Sequence, residues 1–181
     1  MAWPQVGFHV TADDRLVLDL PATMLDQAGL QQRIGSIMGR GFADEAAVLD
    51  AVRDQIRLTG FAGLPTMNRT TTAHVFLFVN GRPVHDRSLL GAIRAGYGDT
   101  LLRGRHPMAV LFITLPSVDL DVNVHPAKAE VRFKDAAAVR SLLVGALSAN
   151  MRDASIIATA GNGVAALHKF AAHTASIGDE T

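Results

Sequence analysis

No cysteine occurs anywhere in the 181 residues. Disulfide bridges and thiolate metal sites are thereby excluded, and the composition fits a reducing compartment. No apolar run reaches the roughly 18 residues of a membrane-spanning helix. The opening MAWPQVGFHV has neither the basic start nor the long apolar core of a signal peptide, so a cytoplasmic location is expected. Net charge is also absent, with 17 Lys and Arg against 17 Asp and Glu. The chain as a whole is therefore no generic polyanion binder. The histidines show no metal-ligand spacing, and no metal site is predicted.

What is present is an ordinary globular composition, 49% hydrophobic and 19% charged. The length suits one compact domain. Residues 1–150 carry the periodic patterns. From 151 to 181 the sequence turns rich in Ala, Gly, Thr and Ser and reads as the start of a partly flexible linker, with some helix in GVAALHKFAA.

VGFHV and RLVLDL alternate around the turn residues TADD and predict a hairpin. DQAGLQQRIGSIMG predicts a helix with Leu30, Ile34 and Ile37 inward, ending near Gly39 and Gly41. DQIRLTGFAGL alternates loosely, with Gly60 read as a bulge. AHVFLFVN and PMAVLFITLP are continuous apolar runs, the pattern of buried central strands. Asn80-Gly81 is a turn signal. DRSLLGAIRAGYGDTLL predicts a helix capped by Asp86, with Leu89, Leu90, Ile93 and Tyr97 inward. KDAAAVRSLLVGALSANMRDA predicts a last helix with Val139, Leu142, Leu143 and Leu147 inward. The order predicts an α/β (α+β two-layer) fold, one mixed β-sheet with helices mainly on one face.

Charge is unevenly placed. Residues 41–55 hold Asp44, Glu45, Asp50 and Asp54 against Arg53. Residues 80–105 hold Arg82, Arg87, Arg94, Arg103 and Arg105 against Asp86 and Asp99. Solvated faces alone can produce such fluctuations.

The most unusual stretch is DVNVHPAKAEVRF, Asp121 to Phe133. Strand alternation sends Val122 and Val124 to one side and Asp121, Asn123 and His125 to the other. Pro126 has no N–H and ends the strand. Lys128 then sits on a short loop, and alternation resumes with Val131 and Phe133 inward. A lysine there is a point charge with three donors and suits a phosphate oxygen. On spacing alone, a surface lysine in a turn is the simpler reading, and His125 reads as a structural histidine.

DVNVHPAKAEVRF resembles the signature of the MutL family of DNA mismatch-repair ATPases, and FVNGRPVHD with its following helix resembles that family's second landmark. The resemblance covers roughly residues 1–150. It implies the family's second α/β domain, a transducer with a ribosomal protein S-five domain-two-like fold. The family's nucleotide-domain motifs, such as the GFRGEAL-type box, are missing. No ATP hydrolysis by the chain alone is therefore expected, and GNG at Gly161–Gly163 reads as linker. The resemblance also implies that Lys128, on a loop with His125, Pro126 and Ala127, meets the ATP γ-phosphate in the adjacent ATPase domain. It implies ATP with Mg2+ as cofactor of the full-length protein, and Arg87 in DNA binding. Arg94, seven residues later on the same helical face, is expected beside it, with Arg82, Arg103 and Arg105 as weaker candidates. Implied partners are the protein's own N-terminal ATPase domain, DNA, a mismatch-recognition protein of the MutS type, and a second copy in a full-length homodimer. The alternatives are a transducer of another protein in the ATPase superfamily, such as a type II topoisomerase subunit, or a stand-alone nucleic-acid-binding module.

Overall fold

The computed structural model describes residues 1–121 and 131–153. The chain opens with an antiparallel hairpin, β1 (Phe8–Ala12) and β2 (Arg15–Leu20). Its turn residues Asp13 and Asp14 take positive φ of 50° and 58°, as a two-residue primed turn requires. Two helices follow, α1 (Gln27–Met38) and α2 (Arg40–Glu45). Asp26 caps α1 by accepting from the Gly29 N–H at 2.7 Å.

Next come β3 (Ala47–Arg53), β4 (Ile56–Ala62), the short β5 (Asn68–Arg69), β6 (Val75–Val79) and β7 (Arg82–Val84). Helix α3 (Arg87–Tyr97) leads to β8 (His106–Pro107) and β9 (Ala109–Thr114). β10 (Leu120–Asp121) and β11 (Arg132–Phe133) flank residues 122–130, and helix α4 spans 136–153.

Five strands make one mixed sheet in the order β3-β4-β9-β6-β7. β9 is central, antiparallel to β4 and parallel to β6. Period-two alternation sorts its side chains. Leu58, Leu77, Val79, Leu111 and Ile113 face the larger core, with Leu89, Ile93 and Tyr97 of α3 and Val139, Leu143 and Leu147 of α4. Phe61, Phe78 and Val110 face the smaller core, with Ile34 of α1 and Phe42 of α2. Phe78 and Phe112 stack there with centroids 5.1 Å apart. Truncating one of the fully buried leucines to alanine costs about 2–5 kcal/mol. Helices α3 and α4 thus share one face, and α1 with α2 caps part of the other.

Several local expectations change. The helix read as ending near Gly39 restarts at once as α2, because Gly39 adopts φ +94° and turns the chain between them. Ile37 is exposed and Arg33 is buried in its stead. The first hairpin does not join the five-stranded sheet. Leu90 is half-buried, whereas Ala92 and Gly96 complete the inner face of α3. Gly60 is no bulge: the β4–β9 register runs unbroken from Arg57↔Thr114 to Ala62↔Ala109. Its φ is +140°, and a Cβ there would collide with the carbonyl oxygen of Val110 and lie 3.0 Å from Leu111 Cα. Close backbone approach is what demands the glycine.

Candidate functional site

β6 ends in the Asn80-Gly81 turn, where φ values of 46° and 78° make the expected tight hairpin to β7. Asn80 does more than turn the chain. Its N–H donates to Ile113 O at 2.9 Å and its amide Nδ2 to Leu115 O at 3.0 Å, while the Leu115 N–H donates to its Oδ1 at 3.1 Å. The Trp3 indole lies against the same turn: a Cβ on Gly81 would sit 3.3 Å from its Cζ2.

From Leu115 the chain passes Pro116 and a short turn at Ser117–Asp119 into β10. β10 pairs with β11 through Leu120↔Phe133 and Asp121↔Arg132. Leu120, Val131 and Phe133 pack on the larger core, as the resumed alternation predicts, and Arg132 faces solvent. The Lys134 N–H donates to Asp119 O at 2.9 Å, and its ammonium lies 3.4 Å from the Asp119 carboxylate. Asp135 then caps α4 by accepting from the Ala138 N–H at 2.8 Å. A cavity of about 350 Å³ opens beside these flanks, lined in part by Asp54, Ile56, Leu115, Asp119 and Lys134. His125, Pro126, Ala127 and Lys128 lie outside the described residues, as do residues 154–181 and their GNG.

The arginines separate into two kinds. Asp86 caps α3, accepting from the Leu89 N–H at 2.9 Å. That places Arg87 as the first helical residue, exposed, with Arg82 exposed at the start of β7 and Arg103 exposed beyond the far end of α3. Arg94 is not a free neighbour of Arg87. It is half-buried, and its guanidinium donates to the carbonyl oxygens of Arg105 and, at 3.4 Å, Leu102. Arg105 in turn donates from Nε to Asn68 Oδ1, and Asn68 Nδ2 donates to Pro65 O at 2.8 Å. These two arginines tie the 101–105 loop to α3 and β5. The helical spacing of Arg94 is as expected, but carbonyls of a neighbouring loop capture its fork.

Buried Arg33 was missed in the sequence. It sends Nη2 to the carbonyls of Pro4, Val6 and Pro21 at 2.9, 2.8 and 2.7 Å and stacks over Phe8 at 5.8 Å. No pattern in LQQRIGSI distinguishes it from a solvated arginine. The described residues contain no group of three His, Asp or Glu placed to hold a metal ion, and none of their helices is long and apolar enough to cross a membrane.

Comparison with known proteins gives a family. The family described as "DNA mismatch repair protein, C-terminal domain" matches residues 34–152. The DNA mismatch repair protein MutL of Caulobacter vibrioides is 55% identical over 147 residues, 81% of this chain and 23% of that protein. MutL of Rhizobium leguminosarum bv. trifolii is 51% identical over 162 residues, 89% of this chain and 26% of that protein. This chain thus spans about a quarter of the length of these relatives. A solved structure titled as the N-terminal domain of a DNA repair protein superposes with a TM-score of 0.62 at 23% identity, covering 86% of this chain and 51% of that one, which shows a shared fold. On the family match and these identities, the chain belongs to the MutL family of DNA mismatch-repair proteins.

Proposed function

We propose that this chain is the transducer part of a MutL protein: it contributes Lys128 to an ATP site in the adjacent ATPase domain and Arg87 to a DNA-binding surface. The observation behind the nucleotide half is the pairing of β10 with β11 on either side of residues 122–130. Asp121 and Val131, the described residues at either end of 122–130, continue directly into a paired ribbon that packs on the main core. In this reading a phosphate that attracts Lys128 pulls on that ribbon and, through it, on the sheet. ATP supplies the γ-phosphate when bound. Lys128 would donate to it, a charge-assisted contact of about 1.5–3 kcal/mol. Loss of that phosphate removes the contact, which is the requirement for a nucleotide-dependent switch in domain orientation. In this reading Mg2+ is bound with the nucleotide in the adjacent ATPase domain.

The DNA half rests on the exposed corner of Arg82 and Arg87, beside a capped helix start. Phosphate contacts of this kind are sequence-independent and salt-sensitive. A mismatch-recognition protein of the MutS type and a second copy of the full-length protein complete the partners of this reading. A topoisomerase transducer fits the sequence less well, because identities of 51–55% to MutL proteins extend over most of the chain.

The test is steady-state ATP hydrolysis by the full-length protein. Lys128→Ala is expected to reduce it about ten- to a hundredfold, the equivalent of the lost contact, with an unchanged circular dichroism spectrum. Wild-type kinetics in that variant would remove Lys128 from the nucleotide site.

A further inference from the structure

Pairing of β5 with β8 joins two segments that lie far apart in the sequence. Asn68 is opposite Pro107, and Arg69 is opposite His106. Arg69 thereby enters the neighbourhood of Arg105, whose Nε donates to the side chain of Asn68. The carbonyl oxygen of Arg105 accepts in turn from the Arg94 guanidinium, in the last turn of α3. Arg103 lies two residues from Arg105 in the same loop, and both Arg103 and Arg69 are exposed. Four guanidiniums thus gather at the C-terminal end of α3. The helix dipole places partial negative charge there and offsets part of their mutual repulsion.

Carboxylates do not match this charge. Residues 63–74 and 98–108 hold one acidic side chain between them, Asp99. None of the four arginines forms an ion pair among the described residues, whereas Arg57 is matched by Asp50 at 2.7 Å and Lys134 by Asp119 at 3.4 Å. Arg94 and Arg105 donate to loop carbonyls and an amide, which fixes the base of the cluster. The Arg69 guanidinium reaches the carbonyl oxygen of its own neighbour Asn68, at 3.0 Å. Thr70 and Thr71, exposed beside Arg69, add hydroxyl donors. Planar forks and hydroxyls without acids are the donor set that phosphate oxygens accept from.

We propose that the Arg69–Arg103 corner is a second phosphate-contacting surface for duplex DNA, separate from the corner of Arg82 and Arg87. The inference rests on the DNA half of the reading above. Arg87 begins α3 and the new corner lies at its other end. The 11 residues of the helix, at 1.5 Å each, put about 16 Å between those ends. B-DNA carries one charge per about 1.7 Å of axis, so a duplex laid along α3 offers roughly nine phosphates over that span. A single small phosphate reaches one end, and a long polyanion reaches both. Contacts of this kind hold the backbone and read no sequence.

The experiment is a salt titration of the full-length protein against a random-sequence duplex of about four helical turns. Arg69→Gln and Arg103→Gln should each reduce the slope of log affinity against log salt by about one, and the double variant by about two. Thermal midpoints should stay within about 2 °C of wild type, as for exposed substitutions. Wild-type slope and affinity in the double variant overturn the proposal. Arg87→Glu, measured alongside, separates the two readings. A lowered slope there with an unchanged double variant keeps the first corner on the DNA path and removes this one, whereas unchanged slopes in both remove the two together. A double variant that binds the duplex as wild type but loses binding to polyglutamate assigns the corner to an acidic polypeptide and also overturns the proposal. Arg69→Lys with Arg103→Lys keeps both charges and should keep the wild-type slope. A slope that falls there as far as in the glutamine pair traces the loss to the fold and overturns the proposal as well.

Discussion

The side-chain amide of Asn80 and the backbone of Leu115 are hydrogen-bonded in both directions, at 3.0 and 3.1 Å. Parallel strands β6 and β9 would otherwise part company here, one entering a hairpin and the other the segment that leads to Lys128. Asn80→Gly removes both bonds but tolerates the positive φ, and should cost about 1–2 kcal/mol. Asn80→Ala adds the left-handed strain of a β-carbon without a compensating amide, and should cost about 2–3 kcal/mol. Urea titration of the two variants gives the ranking. Equal midpoints would mean that the amide bonds and the backbone angle are not both in use.

Arg87 and Arg94 should behave differently on reversal of charge. Arg87→Glu places a carboxylate in the first turn of α3, where the helix dipole favours it. The fold should stand, and in the full-length protein DNA affinity should fall for all sequences alike, with the salt slope reduced by about one contact. Arg94→Glu aims a carboxylate at the carbonyls of Leu102 and Arg105 and should lower stability by about 1–3 kcal/mol. Salt titrations of DNA binding, paired with thermal melts, separate the two. An unaltered slope and affinity in Arg87→Glu would take this corner off the DNA path.

Tyr97 is 2% exposed and donates its hydroxyl to Gly63 O at 2.8 Å. Burial pushes its phenol well above the ordinary range. The folded chain therefore keeps the proton at a pH where the unfolded chain has lost it. That stability is complete below the unfolded pKa of about 10 and drains away as pH rises beyond it, by about 1.4 kcal/mol per pH unit. Tyr97→Phe should cost about 1–2 kcal/mol at neutral pH through the lost bond to Gly63. It should also flatten the alkaline decline relative to wild type. Parallel alkaline stability curves for the two proteins would contradict the burial argument.

Gly60→Ala forces a β-carbon into the Val110 carbonyl at a backbone angle closed to L-residues. The β4–β9 ladder would have to part, and a loss of about 3 kcal/mol or more is expected. Denaturant unfolding measures it. A loss below about 1 kcal/mol would show that the central strands yield more easily than close packing allows.

Sequence pattern foretold the elements whose periodicity is strong. The apolar runs became β6 and the central β9, and α3 and α4 bury Leu89, Ile93, Tyr97, Val139, Leu143 and Leu147 as spaced. The Asn80-Gly81 turn and the inward Val131 and Phe133 were legible for the same local reason. What escaped depends on meetings between distant segments. Nothing near Gly60 in sequence reveals Val110, and nothing near Arg33 reveals Pro4 and Pro21. Helical spacing put Arg94 above Arg87 but could not see the loop carbonyls that occupy it. The separation of the first hairpin from the main sheet was invisible too, because alternation reports that a face is apolar, not what lies against it.

Trp3 is the chain's single tryptophan, 58% exposed, and its ring rests against Gly81 in the turn that Asn80 locks to Leu115. The segment carrying it is tied at Pro4 to Arg33. One native fluorophore therefore straddles the root of the hairpin and the rim of the sheet. Its emission is an unlabelled gauge of how the hairpin is seated on the sheet, so any change in that seating would be read as a colour shift without a probe being attached.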